Sequence, residues 1–167
     1  MTFLLGPATV ALALPLYKNR RTFFANLVPA GCGLLAGSLG TMIAGGVAAR
    51  ICGFTPLLVS SIAIKSATVP IAVEIARIVH GAPALTAIFV VLTGVIGASF
   101  GPSLMNRFRI SHPVSRGLAL GTISHGQGTA EAVTESELSG TVAAVAMGLG
   151  AICTSVAAPY IVPLLVQ

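Results

Sequence analysis

Apolar residues run through this chain in long blocks punctuated by polar or basic positions. Three blocks are long and continuous: Phe23 to Ala49, Pro83 to Met105 and Thr141 to Val166. A helix crossing the bilayer hydrocarbon needs about 20 mainly apolar residues, so each block predicts a membrane-spanning helix. Gly33-Leu-Leu-Ala-Gly37 and Gly97-Ala-Ser-Phe-Gly101 set small residues four apart, a face for close helix packing. Met147-Gly-Leu-Gly150 reads as a packing face too, because no strand precedes it to make a nucleotide loop. Tyr160 stands where an interfacial anchor is expected. An earlier block, Thr2 to Leu16, holds two prolines and is followed, not preceded, by Lys18, Arg20 and Arg21. It reads as a short membrane segment and not as a signal peptide. The chain is expected to begin partway through a longer membrane protein.

Two further stretches break the pattern. Thr55 to His80 is apolar as far as Ile64 and then reads Lys65-Ser-Ala-Thr-Val-Pro-Ile-Ala-Val-Glu74. Pro70 removes a helix hydrogen bond in the middle of this stretch. Gly117 to Glu131 carries too many glycines and polar groups for an ordinary lipid-facing helix. Sliding the chain on itself by 57 positions brings Arg50 onto Arg107, Pro56 onto Pro113 and Glu74 onto Glu131. This points to an internal repeat with units about 30–79 and 87–136. Each unit is one glycine-rich span, a basic turn and an interrupted segment. Placing Lys18, Arg20, Arg21, Arg107, Arg109 and Arg116 in the cytoplasm follows the positive-inside rule. That placement works if the interrupted segments dip in and return, which makes the repeats inverted. If both segments cross fully, the repeats are parallel. The expected architecture is all-α: a polytopic transmembrane helical bundle forming a single domain over 1–167, with two interrupted (re-entrant or broken) segments.

Composition agrees. Hydrophobic residues are 55% of the chain, charged residues 8%, and mean hydropathy is +0.97. A soluble domain carries about 25% charged residues, too many to be spared on a water-facing surface. The net charge of +5 comes from scattered cations with no basic, aromatic-laced stripe, so nucleic acid is excluded as a partner. Cys32, Cys52 and Cys153 have no metal or disulfide spacing and read as small buried hydrophobes. No cofactor is called for, and no enzyme.

Paired interruptions at matching repeat positions are the sequence pointer to a transporter binding site. The expected ligand-binding residues are Ser66, Thr68 and Pro70 from the first, with Ser124, His125, Gly126, Gly128 and Thr129 from the second. Gly126 and Gly128 would bring backbone N–H groups close to an anion. A histidine has its ordinary pKa near neutral, so His125 is expected to offer coupling to a proton. Lys65, Glu74 and Glu131 are assigned to coupling or charge pairing, since ionisable groups at depth cost about 2.5–3.5 kcal/mol. The blander alternatives are that Lys65 and Glu74 snorkel to an interface and that His125 is a buried, hydrogen-bonded core residue. Ser124 beside His125 is no hydrolase signal, because no GxSxG elbow and no aspartate accompany it. Glu135 and Glu137 read as solvated turn charges, and His80 and His112 receive no role.

Three segments in order closely resemble the LrgB/CidB family. They are Leu5-Gly-Pro-Ala-Thr-Val-Ala-Leu-Ala-Leu-Pro-Leu-Tyr-Lys18, Lys65 to Glu74 as quoted, and His112-Pro-Val-Ser-Arg-Gly-Leu-Ala-Leu-Gly-Thr-Ile-Ser-His-Gly-Gln-Gly-Thr-Ala130 with Glu131 following. That family also includes the carboxy-terminal half of a plastid glycolate/glycerate transporter. The resemblance implies a multi-pass protein of the bacterial inner membrane, antiholin-like and linked to control of murein hydrolases and lysis. It implies a small holin-like partner of the LrgA/CidA type, homo- or hetero-oligomers in the lipid bilayer, and in some members movement of small monocarboxylates. The alternative function is a non-transporting regulator that oligomerises with that partner. Two departures stand out: roughly the first 60 residues, about two spans, have no counterpart here, and Gly126-Gln127 replaces a small and an apolar residue.

Overall fold

A computed structural model describes residues 25–166 together with Tyr17 and Arg21. The block Thr2 to Leu16, with Lys18 and Arg20, lies outside the described residues. Those described form six helices and no strand. They are α1 (Leu27–Ile51), α2 (Pro56–Ala63), α3 (Val69–Ile78), α4 (Pro83–Arg107), α5 (Pro113–Glu135) and α6 (Glu137–Val166). Among the described residues, only α1, α4 and α6 are long and apolar enough to cross a membrane. Proline opens four of the six helices: Pro56, Pro83 and Pro113 each stand first, and Pro70 stands second in α3. The ring presets the helical φ, and the missing N–H is one that no helix start can use. Pro70 therefore removes no internal bond; the chain has already left helix at Ile64 to Thr68. Ser136 starts α6, its hydroxyl accepting the N–H of Ser139 at 3.0 Å.

α5 is not straight. His125 has φ 48° and ψ −121°, far from helix. Arg116 and Glu135, about 28 Å apart along an ideal helix, form an ion pair. The element doubles back at His125 into two arms, 113–124 and 126–135. Gly128 lets the arms close, because a Cβ there would run into the carbonyl oxygen of Leu120. α2 and α3 make a comparable turn. Ser61 Oγ in α2 accepts the N–H of Ala82, just beyond α3, at 2.8 Å. Its tip is Lys65 to Thr68.

Long-range contacts fix how these pieces lie. Arg50 Nη1 donates to the carbonyl of Leu165 at 3.3 Å, so α1 and α6 end together. Val90 of α4 packs with Ala67 and Ala72 at the first tip, while Met105 packs with Leu120, Ala132 and Ala143. α4 thus runs opposite to α1 and α6. The α2–α3 hairpin opens at the Ile51 end of the bundle and the α5 hairpin at the Arg107 end. Along α6, which is 30 residues long, Met147 meets the second hairpin and Thr154 the first. The two tips therefore face each other about halfway along it. The expected helix-packing faces are consumed inside the chain: Gly33 and Gly37 abut Leu118 and Thr122, and Gly97 and Gly101 abut Ser124 and Leu120. Cys32 and Cys52 are exposed and Cys153 half-buried, so the expectation of buried cysteines fails. In a bundle whose outer surface is apolar, a small hydrophobe has no need of the core.

Candidate functional site

Carbonyl groups freed by each break need donors, and threonines supply them. Thr154 Oγ1 donates to the Ser66 carbonyl at 3.3 Å, and Thr129 Oγ1 to the His125 carbonyl at 2.7 Å. The Thr154 hydroxyl spares a buried acceptor that would cost several kcal/mol in lipid, whereas the Thr129 bond is a back-bond within the second arm of α5. Beyond each tip a new helix begins, α3 at Val69 and the second arm of α5 at Gly126. The first N–H groups of a helix have no internal acceptor and carry the positive end of its dipole.

A cavity of about 480 Å³ lies between these starts. Thr68 and Pro70 come from the first tip, His125, Gly126 and Gln127 from the second, and Met147 from α6. Lys65, the first residue of the first tip, stands behind Thr68 and outside the cavity lining. Its Nζ is 3.5 Å from Ser66 Oγ, and a Cβ added to Gly45 of α1 would touch its stem at 3.2 Å. The His125 ring is 3% exposed, and neither nitrogen has a hydrogen-bond partner. The Ser66 main chain lies beside it at a geometry short of a full hydrogen bond, and Lys65 is close enough to act on it by charge. A buried polar group left unpaired costs about 1–3 kcal/mol, so the Ser66 main chain beside the ring is its nearest source of compensation.

The structure brings Lys65, Ser66, Thr68, Pro70, His125 and Gly126 together around the two tips. Other expected site residues stand elsewhere. Gly128 is a packing position between the arms. Ser124 faces α4, where a Cβ on Gly97 would meet its hydroxyl. Thr129 caps the tip carbonyl. Glu74 pairs with Arg77 at 3.0 Å, both about two-thirds exposed. Glu131 is half-buried on the second arm, outside the cavity lining. Glu135 is not a solvated turn charge: its side chain is 17% exposed and pairs with Arg116. Gln127, a polar residue of the second interrupted segment that was not among the expected ligand-binding residues, lines the cavity and lies against Gly94, where no Cβ blocks it. A larger groove of about 540 Å³ between α1, α5 and α6 has no hydroxyl, amide or charged lining residue, so it offers a charged ligand nothing.

No solved structure matches the chain. The Bacillus subtilis protein YwbG is 38% identical over 96% of this chain and 72% of its own length. A Haemophilus influenzae protein is 34% identical over 97% and 70%. Antiholin-like protein LrgB of Bacillus cereus is 31% identical over 98% and 71%. The LrgB-like family model matches residues 1–164, and the chain belongs to that family.

Proposed function

We propose that the protein carries small monocarboxylates across the bacterial inner membrane through the cavity between the two hairpin tips. One observation carries the reading: two helix starts and the buried His125 ring border one open cavity on the side of an apolar bundle, with Lys65 close enough behind the first tip to act on that ring by charge. Helix starts attract anions, and converging half-helices at mid-membrane are a transporter arrangement. One fixed cation suits one carboxylate. Val69, Val90 and Met147 offer an apolar wall for a short carbon chain. The opposite entry of the two hairpins supports an inverted repeat of units 30–79 and 87–136.

Uptake of labelled two- and three-carbon acids into proteoliposomes tests this. Lys65→Gln should insert normally and lower uptake about tenfold, the loss of roughly 1.4 kcal/mol of charge-assisted binding. No uptake by the wild type, or unchanged uptake by the variant, sinks the reading.

A second reading is an antiholin-like regulator acting with a holin-like partner. It is favoured by the name of the Bacillus cereus relative. Co-purification of a small membrane partner, with no carboxylate uptake with or without it, would decide for it.

A further inference from the structure

The two hairpins are held at their mouths by different chemistry. At the Arg107 end, Arg116 Nε donates to Glu135 Oε2 at 2.8 Å, and its Nη2 donates to the other oxygen. Nη1 reaches Asn106 Oδ1 and the Ile110 carbonyl, both at 2.9 Å. One guanidinium so ties the start and end of α5 to the end of α4, and the pair is part-buried. Next to it, Ser139 Oγ donates to the Pro113 carbonyl at 3.0 Å, and Gly117 lies flush on the Ser139 main chain.

At the Ile51 end nothing comparable joins α2 to α3. Ser61 Oγ takes the Ala82 N–H, a neutral bond that stands beside the apolar packing of Ala63 and Ile64 with Ile75, Ala76 and Val79. The ion pair there, Arg77–Glu74, lies within α3 on an exposed surface and spans no gap. A cavity of about 400 Å³ opens beside this mouth, lined by Leu57, Ser60, Val79, His80, Pro159 and Val162 among others. The wall opposite is α6 at Pro159 and Pro163, each of which removes one helix hydrogen bond and permits bending there.

We propose that the α2–α3 hairpin is the moving gate of the site, swinging at the Ile51 end against the proline-bearing last turns of α6, while Arg116 braces α5 as the fixed wall. The inference rests on the anion-site reading only for what the gate admits. A charge-assisted, bidentate pair resists opening more than a neutral hydroxyl bond does. Space to move into and a bendable neighbour occur together at the Ile51 mouth.

The test uses the full chain with Cys32, Cys52 and Cys153 replaced by alanine and one new cysteine, Thr68→Cys, in oriented proteoliposomes. A membrane-impermeant thiol reagent should label it from the Ile51 side. Ser61→Ala should speed labelling severalfold, and Glu135→Gln should leave the rate within about twofold. Labelling from the Arg107 side, from both sides equally or from neither overturns the gate. Hydrogen exchange of the unsubstituted chain gives an independent measure: amides of 57–79 should exchange at least about tenfold faster than those of 113–135. The reverse order also overturns it. Protection of Thr68→Cys by added acetate or lactate reports on the anion reading separately. Its absence would remove that reading and leave the side of labelling as evidence on the gate.

Discussion

At Gly128 the lack of one methyl group sets how closely the two arms of the α5 hairpin lie. A Cβ there meets the Leu120 carbonyl and approaches Ser124 Cβ at 2.6 Å, whereas a Cβ on Gly126 meets open space. Gly128→Ala should therefore destabilise the protein by about 1–3 kcal/mol, the usual cost of overpacking. Gly126→Ala should leave stability unchanged. Thermal unfolding in detergent would separate them, and equal effects from the two would remove the packing role of Gly128. The sequence offers these glycines as a pair and gives no means of telling them apart. Which of them faces a neighbour depends on a chain reversal at His125 that no residue type announces. The same holds for Glu135. Next to Glu137 in a polar run it looks solvated, and only the fold carries it back to Arg116, 19 positions earlier. Lys65 and His125 were legible, because ionisable groups inside apolar blocks stand out without any knowledge of the fold.

Whole elements were easier to read than their turns. The three spans follow from length and composition, and α1, α4 and α6 occupy those blocks to within a few residues. The Lys65 to Glu74 interruption was visible, but its cause was misplaced. Pro70 begins α3 and does not interrupt a continuous helix, so the chain breaks where Ile64 to Thr68 leave helix geometry. This changes what Pro70→Ala should do. Alanine keeps the helix start and adds one free N–H near the cavity, so uptake should stay within about twofold of wild type. A loss of tenfold or more with normal insertion would show that the proline ring itself shapes the site. α5 gave less warning of its form, since a polar, glycine-rich helix and a doubled-back hairpin have the same composition.

For the molecule as a whole, the opposite courses of α1 and α4 put the 52–55 connection and the 108–112 connection at opposite ends. With the Arg107 end in the cytoplasm, as its cations favour, Thr55→Cys in a cysteine-free background should label from outside intact cells and Ser111→Cys should not. Labelling of both, or of Ser111→Cys alone, contradicts that orientation. The hairpin tips meet about halfway along α6, and this has an electrical consequence. A transmembrane voltage of 100 mV is worth about 2.3 kcal/mol for a unit charge crossing fully, hence roughly half that on reaching the midpoint. With the cell interior negative, an anion rising from the cytoplasm to the tips moves down its electrical gradient and is favoured about sevenfold. The same anion entering from outside is opposed by the same factor. If the protein is the carrier proposed above, then unless a cation travels with the anion the membrane voltage alone would bias it toward export.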